Sequence, residues 1–107
     1  MSWDFEHQKA ETAITLKHIE ESGDLAAGAH VTLDLEFNPV EGADAEACAR
    51  ALKMFGYEVE VHEDGMIAAS KPDVPLTLAG VWEQEERATK IALERGYEPE
   101  GWGFWEP

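Results

Sequence analysis

The stretch from His30 to Phe37 constrains the fold most, because apolar and polar residues alternate along it without interruption. Its apolar residues are Val31, Leu33, Leu35 and Phe37, and its polar residues between them are Thr32, Asp34 and Glu36. Successive side chains of a β-strand point to opposite faces, so this pattern predicts a strand with one buried face and one wet face. Such a strand is typical of a sheet that is covered on one side only.

A second alternating segment, residues 57–61, predicts another strand and places Glu58 and Glu60 on its polar face. His62 to Gly65 follows as a hairpin turn, since Asp-Gly readily adopts the positive φ of tight hairpins. The other segments are predicted as a helix over 3–23, a loop over 24–29, a helix over 45–55, a strand over 66–70, a helix over 76–95 and a strand over 101–105.

Local signals at the ends of the segments support these assignments. Ser2 and Asp44 are expected N-caps, and Gly23 is an expected helix stop. Pro72 and Pro75 exclude a helix between the third strand and the last helix. Within that last helix, the solvated side is expected to carry Glu83, Glu85 and Glu86.

The order of these elements predicts an α+β chain. After the first helix come strand, helix, strand, strand, helix and strand, which is the split β-α-β arrangement of ferredoxin-like folds. We expect an antiparallel four-stranded sheet with two helices on one face over residues 30–105, and an extra N-terminal helix over residues 1–23. No linker or repeat interrupts residues 1–107, which predicts a single domain.

Charge narrows the class of partner. The chain has 23 Asp and Glu residues against 8 Lys and Arg residues, a formal net charge of −15. Such a field repels nucleic-acid phosphates and anionic lipid and attracts basic protein segments. We therefore expect a protein partner with basic segments, and neither direct nucleic-acid binding nor membrane contact.

The outward face of the sheet is the candidate partner-binding surface. It is expected to display Asp34, Glu36, Glu58 and Glu60. One interpretation is an acidic docking surface for a basic segment. The other is a solvated face that keeps the domain soluble, and the sequence leaves both open. Trp102 is the candidate aromatic anchor beside these acids. Trp102 and Phe104 are expected on one side of the last strand and Gly103 and Trp105 on the other, and the sequence leaves open which set is core. A further alternative is that all four tryptophans cover a small core.

Catalytic and metal-binding patterns are not evident in the sequence. His7 and Glu11 share a helix face, but metal sites usually need three or four convergent ligands. Cys48 lies on the apolar side of its helix and is interpreted as a core residue. We therefore expect no catalytic residues, no metal and no cofactor. The single cysteine fits a reducing compartment, and no signal peptide or membrane-length apolar run is apparent, so a cytoplasmic location is expected.

Two segments resemble one protein family. They are Ala51-Leu-Lys-Met-Phe-Gly-Tyr-Glu-Val59 and Ile91-Ala-Leu-Glu-Arg-Gly-Tyr-Glu-Pro-Glu-Gly-Trp-Gly103. Both are similar to the regulator of ribonuclease activity B family, acidic protein inhibitors of the endoribonuclease RNase E. The family's Tyr-x-x-acid-Gly-Trp-Gly segment is matched by Tyr97, Glu100, Gly101, Trp102 and Gly103.

The resemblance covers most of the chain and implies a ferredoxin-like fold with an extra N-terminal helix. It also implies that the protein binds an RNase E-type endoribonuclease and alters its activity without catalysis, so the family has no catalytic residues to transfer. In one respect the sequence departs from the family, whose members carry a long acidic C-terminal tail where this sequence stops at Pro107. Two alternatives stay open: another protein partner or an oligomerisation role, and a small enzyme with a pocket around His7 or Cys48.

Overall fold

The helices and strands follow one another along the chain in the predicted order. The computed structural model describes residues 3–23 and 29–105. The elements are α1 (Phe5–Ser22), β1 (His30–Pro39), α2 (Ala45–Met54), β2 (Glu58–Val61), β3 (Ile67–Pro75), α3 (Leu78–Leu93) and β4 (Tyr97–Trp105). This confirms the α+β class, with three helices and a four-stranded antiparallel sheet among the described residues. The predicted cap Ser2 and positions 24–28 of the predicted loop lie outside those residues.

Each helix begins at a side chain that accepts a backbone hydrogen bond. Asp4 Oδ1 accepts from the His7 N–H at 3.0 Å, so α1 begins at Phe5, two residues after the predicted start. Asp44 caps α2 in the same way, as predicted. Thr77 caps α3, which therefore begins at Leu78 instead of residue 76. These side chains satisfy N–H groups that have no partner within the helix.

The strands lie in the order β2-β3-β1-β4, and all neighbours are antiparallel. One face of the sheet is covered by α2 and α3. The apolar side chains of β1 lie there, between 0% and 2% exposed: Val31, Leu33, Leu35 and Phe37. They form one core cluster with residues of the two helices and the neighbouring strands, including Leu52, Ile67, Val81 and Tyr97. The alternation of β1 therefore marks the buried face correctly.

Strand β3 is longer than predicted, because it continues past Ser70 through Pro72 to Pro75. The pairing register with β1 shifts between Val31 and Leu33, which leaves an extra residue on β3. Asp73 adopts φ 59° in this irregular stretch, and its carboxylate lies 2.6 Å from His30 Nδ1. A β-bulge accommodates proline in an inner strand because the bulged residues leave the regular hydrogen-bond ladder.

The interpretation of Glu85 as a solvated residue is wrong. Helix α1 packs against α3 and leaves Glu85 only 6% exposed. A buried carboxylate needs hydrogen-bond donors, and α1 supplies them from Thr12 and Gln8. Its neighbours Glu83 and Glu86 do lie at the surface, where they face Arg87 and Lys90.

Candidate functional site

The four predicted carboxylates lie on one face of the sheet, opposite the two covering helices. Directly opposed residues of antiparallel strands place their side chains on the same face. The register creates two rows across the sheet, Glu58-Ser70-Asp34-Gly103 and Glu60-Ala68-Glu36-Gly101. Each row contains an acid, a small residue, a second acid and a glycine. We call the surface formed by Asp34, Glu36, Glu58 and Glu60 the acidic face.

Small residues leave an open floor between these carboxylates. A shallow depression of about 430 Å³ lies there, bordered by all four acids and by Trp105. Asp34 Oδ1 accepts a hydrogen bond from the Ser70 hydroxyl at 3.1 Å, which orients that carboxylate. A Cβ atom added at Gly101 or Gly103 would meet no atom of residues 3–23 or 29–105 within 4 Å. A ligand can therefore approach the backbone of β4 closely beside the carboxylates.

The described strands place no Lys or Arg side chain on the acidic face, and His62, which follows β2, borders the same depression. The single Lys or Arg residue of these strands is Lys71, which pairs opposite Leu33 and so lies on the helix-covered side. Its Nζ atom is 5.5 Å from the centre of the Tyr57 ring. Four other cations face glutamates on or next to the helices: Arg50, Arg87, Lys90 and Arg95. No lysine or arginine of the described strands therefore offsets the negative field of the acidic face, and this field favours cationic ligands.

The structure separates the candidate anchor Trp102 from these carboxylates. Trp102 pairs opposite Leu35 and packs, half-buried, against the core on the helix-covered side. The indole beside the acids belongs to Trp105, which pairs opposite Thr32 and is 65% exposed.

A β-bulge at Glu100 is the cause of this arrangement. The register between β1 and β4 shifts there, so Glu100 has no opposed residue on β1. Without that extra residue, Trp105 would lie on the same side as the buried Tyr97. One inserted residue moves every following side chain to the other face of a strand. Simple alternation along β4 does not reveal such a shift.

A second concave region, which we call the α1 groove, lies between α1 and β4 on the helix-covered side. It has a volume of about 440 Å³. Its lining includes Trp3, His7, Glu11, Thr15, Glu85 and Trp102. The groove combines two indoles with several carboxylates, and none of its described lining residues is Lys or Arg.

A hydrogen-bonded chain of side chains holds Glu85 in the wall of this groove. The Thr12 hydroxyl donates to Glu85 Oε1 at 2.5 Å, and Gln8 Nε2 donates to Oε2 at 3.0 Å. Trp3 Nε1 donates in turn to Gln8 Oε1 at 2.8 Å. Burial raises the pKa of the Glu85 carboxyl, and the two hydrogen bonds oppose that rise. The sequence pattern did not predict that Glu85, Thr12 and Gln8 form a hydrogen-bonded group. The one sequence feature that points to it is the spacing of Gln8 and Thr12, which are four residues apart and so lie on one face of α1.

Of the sequence candidates for catalysis or metal binding, His7 and Glu11 line the α1 groove and pair with each other, whereas Cys48 does not line either concave region. Cys48 is fully buried, and burial raises the pKa of its thiol to about 11, so the reactive thiolate is scarce at neutral pH. His7 Nε2 lies 2.5 Å from Glu11 Oε1 on an exposed side of α1. Within residues 3–23 and 29–105, no group of three or more His, Cys, Asp or Glu residues is arranged to hold a metal ion.

No helix in the described part of the chain has the length and apolar character needed to cross a membrane. Comparison of the sequence with models of known protein families gives no match, and comparison with curated proteins gives none either. The resemblance of residues 51–59 and 91–103 to the RNase E inhibitor family therefore stays a prediction, and the functional argument rests on the geometry of the acidic face.

Proposed function

We propose that this protein is an acidic regulator that binds a basic protein segment and acts without catalysis, in the manner of inhibitors of RNase E-type endoribonucleases. The observation that supports the proposal most is the acidic face, where four carboxylates surround an open floor beside the exposed indole of Trp105. Lysine and arginine side chains complement such a surface and are drawn to it over a long range. An enzyme that binds RNA offers basic segments of this kind.

We also propose that the fold is ferredoxin-like over residues 30–105, with α1 as an addition to a single domain that spans residues 1–107. Two observations support this: the β-α-β-β-α-β order from β1 onward and the strand order β2-β3-β1-β4. A cytoplasmic site of action is part of the proposal, because a single cysteine forms no internal disulfide and suits a reducing compartment.

The same surface argues against RNA as the direct ligand. Sheets that bind RNA stack bases on exposed aromatic rings and use basic residues for the phosphates. Here one exposed indole lies beside four carboxylates, which would repel a phosphate backbone. In this proposal the protein binds the ribonuclease in competition with RNA, and it does not bind the RNA itself.

A charge-matched pair of variants tests the acidic face. The first carries Asp34→Asn, Glu36→Gln, Glu58→Gln and Glu60→Gln, and the control carries Glu6→Gln, Glu20→Gln, Glu21→Gln and Glu41→Gln. Each variant changes the formal charge from −15 to −11. Binding to an RNase E-type endoribonuclease should weaken by about tenfold or more in the first variant and by less than about threefold in the control. Equal affinities for both variants would contradict the proposed surface.

A single added cation provides an independent test. Gly103→Arg introduces a positive charge opposite Asp34 while all four carboxylates stay in place, and the position has room for a side chain. Ile14→Arg adds the same charge at an exposed position of α1. We expect inhibition of the ribonuclease to decrease about tenfold for Gly103→Arg and to stay near wild type for Ile14→Arg. Unchanged inhibition by Gly103→Arg would count against the acidic face as the contact.

A further inference from the structure

We propose that an extended basic segment of the partner protein adds to β4 as a fifth strand and inserts alternate side chains into the α1 groove. This inference rests on the proposed function, because it takes the partner to be basic. It adds the mode of binding: main-chain pairing with the edge of the sheet, and a defined place for every second side chain.

Among residues 3–23 and 29–105, strand β4 pairs only with β1 and lies at the end of the sheet, so its other edge is free of described strands. Natural edge strands are usually blunted by charges, prolines or bulges. The first half of β4 has these devices in Glu98, Pro99 and the bulged Glu100. The second half, Gly101-Trp-Gly-Phe-Trp105, has neither a charge nor a proline. At about 3.3 Å per residue, these five residues offer about 16 Å of edge for pairing.

The two sides of this edge differ, and both are acidic. Alternate side chains of an added strand point to opposite faces of the sheet. On one side they would lie over the acidic face, next to Asp34 and Glu36, which are opposed to the two glycines of β4. On the other side they would enter the α1 groove, whose wall includes residues 99–102 of β4. Charge complementarity on both sides therefore selects a basic occupant.

Within the α1 groove, arginine is the side chain that fits best. Its guanidinium group stacks on indole rings and forms paired hydrogen bonds with carboxylates. The groove presents the indoles of Trp3 and Trp102 together with the carboxylates of Glu11 and Glu85. Its volume of about 440 Å³ is ample for one such side chain.

A second copy of this chain is the less suitable occupant. Antiparallel pairing of two β4 strands would place Glu98 and Glu100 of both copies along one shared edge. Each copy has a formal charge of −15, and like charges that meet across a strand pair are destabilising. A basic segment avoids this repulsion.

The first experiment uses a fluorescent peptide of nine arginine residues, the length of β4, because arginine at every position reaches both acidic sides of the edge. We expect amide hydrogen exchange in β4 to slow by about tenfold or more when the peptide binds at low salt, because its free N–H groups become paired. Strand β2 is the internal control, since it is the other edge of the same sheet. Equal protection of β2 and β4, or no protection of β4 by a bound peptide, would overturn the inference.

N-methylation of the peptide separates main-chain pairing from simple charge attraction. The methyl groups remove N–H donors and obstruct strand pairing, but they preserve every positive charge. We expect the methylated peptide to bind about tenfold more weakly or worse, as loss of several hydrogen bonds requires. Undiminished binding of the methylated peptide would overturn strand addition.

Two variants test the α1 groove without touching the core. Thr15→Tyr places a ring in the groove, whereas Ile14→Tyr places the same ring at an adjacent exposed residue outside it. Thr15→Tyr should weaken peptide binding by about tenfold, and Ile14→Tyr by less than about twofold. Identical affinities would show that side chains of the peptide do not enter the groove.

The outcomes distinguish this inference from the proposed function. If the ribonuclease still depends on the four carboxylates while methylation and Thr15→Tyr have no effect, strand addition is wrong and the proposed function stands. If neither the peptide nor the ribonuclease binds, strand addition and the proposed function are both wrong. Protection of β4 in the free protein that grows with protein concentration would identify a second copy as the occupant and overturn the inference.

Discussion

Glu85 is buried, although a carboxylate side chain is normally hydrated. Burial disfavours its charged form, whereas hydrogen bonds from Thr12 and Gln8 favour it. The net effect is a raised pKa, so the folded chain holds this proton more tightly than the unfolded chain does. The carboxylate also joins α1 to α3, which gives it a structural role in the wall of the α1 groove.

Removal of the Thr12 hydroxyl tests this junction. Thr12→Val leaves the buried Glu85 carboxyl with one hydrogen-bond partner fewer, and we expect a loss of about 1–3 kcal/mol of unfolding free energy. Thr15→Val is the matched control on the same helix, because the Thr15 hydroxyl donates to the Glu11 carbonyl at an exposed position. It should change stability by less than about 0.5 kcal/mol. Urea unfolding at neutral pH measures the unfolding free energy of both variants, and equal losses of stability would contradict the structural role of Glu85.

The raised pKa of Glu85 also predicts a pH dependence. The stability contributed by the protonated carboxyl is fully present below the ordinary value of 4.5 and is lost as pH rises through the higher pKa of the folded state. The unfolding free energy of wild type minus that of Glu85→Gln should therefore decrease as pH rises above about 4.5. Denaturant unfolding from about pH 4 to pH 8 measures this difference, in which the other 22 acids largely cancel. A difference that stays flat or increases would contradict the assignment.

At the scale of elements, two helix ends show how packing adds to local conformation. Gly23 ends α1 with φ 71°, and Gly96 links α3 to β4 with φ 80°. Both values lie in the left-handed region, which glycine adopts without steric cost. Their surroundings differ, because the segment before α2 packs directly on the Gly96 turn. There the Val40 N–H donates to the Gly96 carbonyl at 2.8 Å, and the Asp44 N–H donates to the Arg95 carbonyl at 2.9 Å.

Alanine at these two positions separates conformational strain from close packing. Gly23→Ala should cost about 1–2 kcal/mol, because its added Cβ meets no atom of the described residues within 4 Å and the left-handed backbone is the source of strain. Gly96→Ala should cost about 1–3 kcal/mol more, since its Cβ would lie 2.5 Å from the Ala43 Cα atom. Thermal and denaturant unfolding of both variants measure the difference. Equal losses would mean that the contact with Ala43 carries no energetic weight.

At the scale of the whole molecule, charge is distributed unevenly between the two sides of the sheet. The helix-covered side carries the described Lys and Arg residues that face glutamates, whereas the strands that form the acidic face place four carboxylates and no Lys or Arg side chain there. Repulsion on that face weakens the fold, and dissolved salt screens it. The same feature that attracts a basic partner therefore reduces the stability of the free protein.

This uneven distribution predicts a salt effect on stability. Raising NaCl from about 20 mM to about 500 mM should increase the unfolding free energy of wild type by about 1 kcal/mol, because screening shortens the reach of charge repulsion. The variant with four neutral residues on the acidic face should begin more stable and gain less. The control variant in Glu6, Glu20, Glu21 and Glu41 has the same net charge, so it isolates the effect of clustering. Identical salt responses of the two variants would contradict a destabilising effect of clustered charge on the acidic face.

Much of the local structure follows from sequence alone. The alternation of residues 30–37 correctly separates the buried side chains of β1 from Asp34 and Glu36. Asp44 caps α2 as expected, and Gly23 ends α1. These features depend on neighbours within a few residues, where backbone geometry and hydrogen bonding leave few choices. The shared face of the four carboxylates also follows, because strand parity and the order of elements are enough to place them together.

Other features depend on how the helices and strands pack against one another, and only the tertiary structure determines them. Glu85 is polar, and its helical position does not reveal that α1 brings Thr12 and Gln8 over it. Trp105, not Trp102, lies beside the carboxylates because a bulge at Glu100 reverses the parity of β4. A periodic pattern indicates the side of an element on which a residue lies, whereas its burial and partners depend on neighbours far along the chain. For that reason the acidic face was predictable from sequence, and the α1 groove was not.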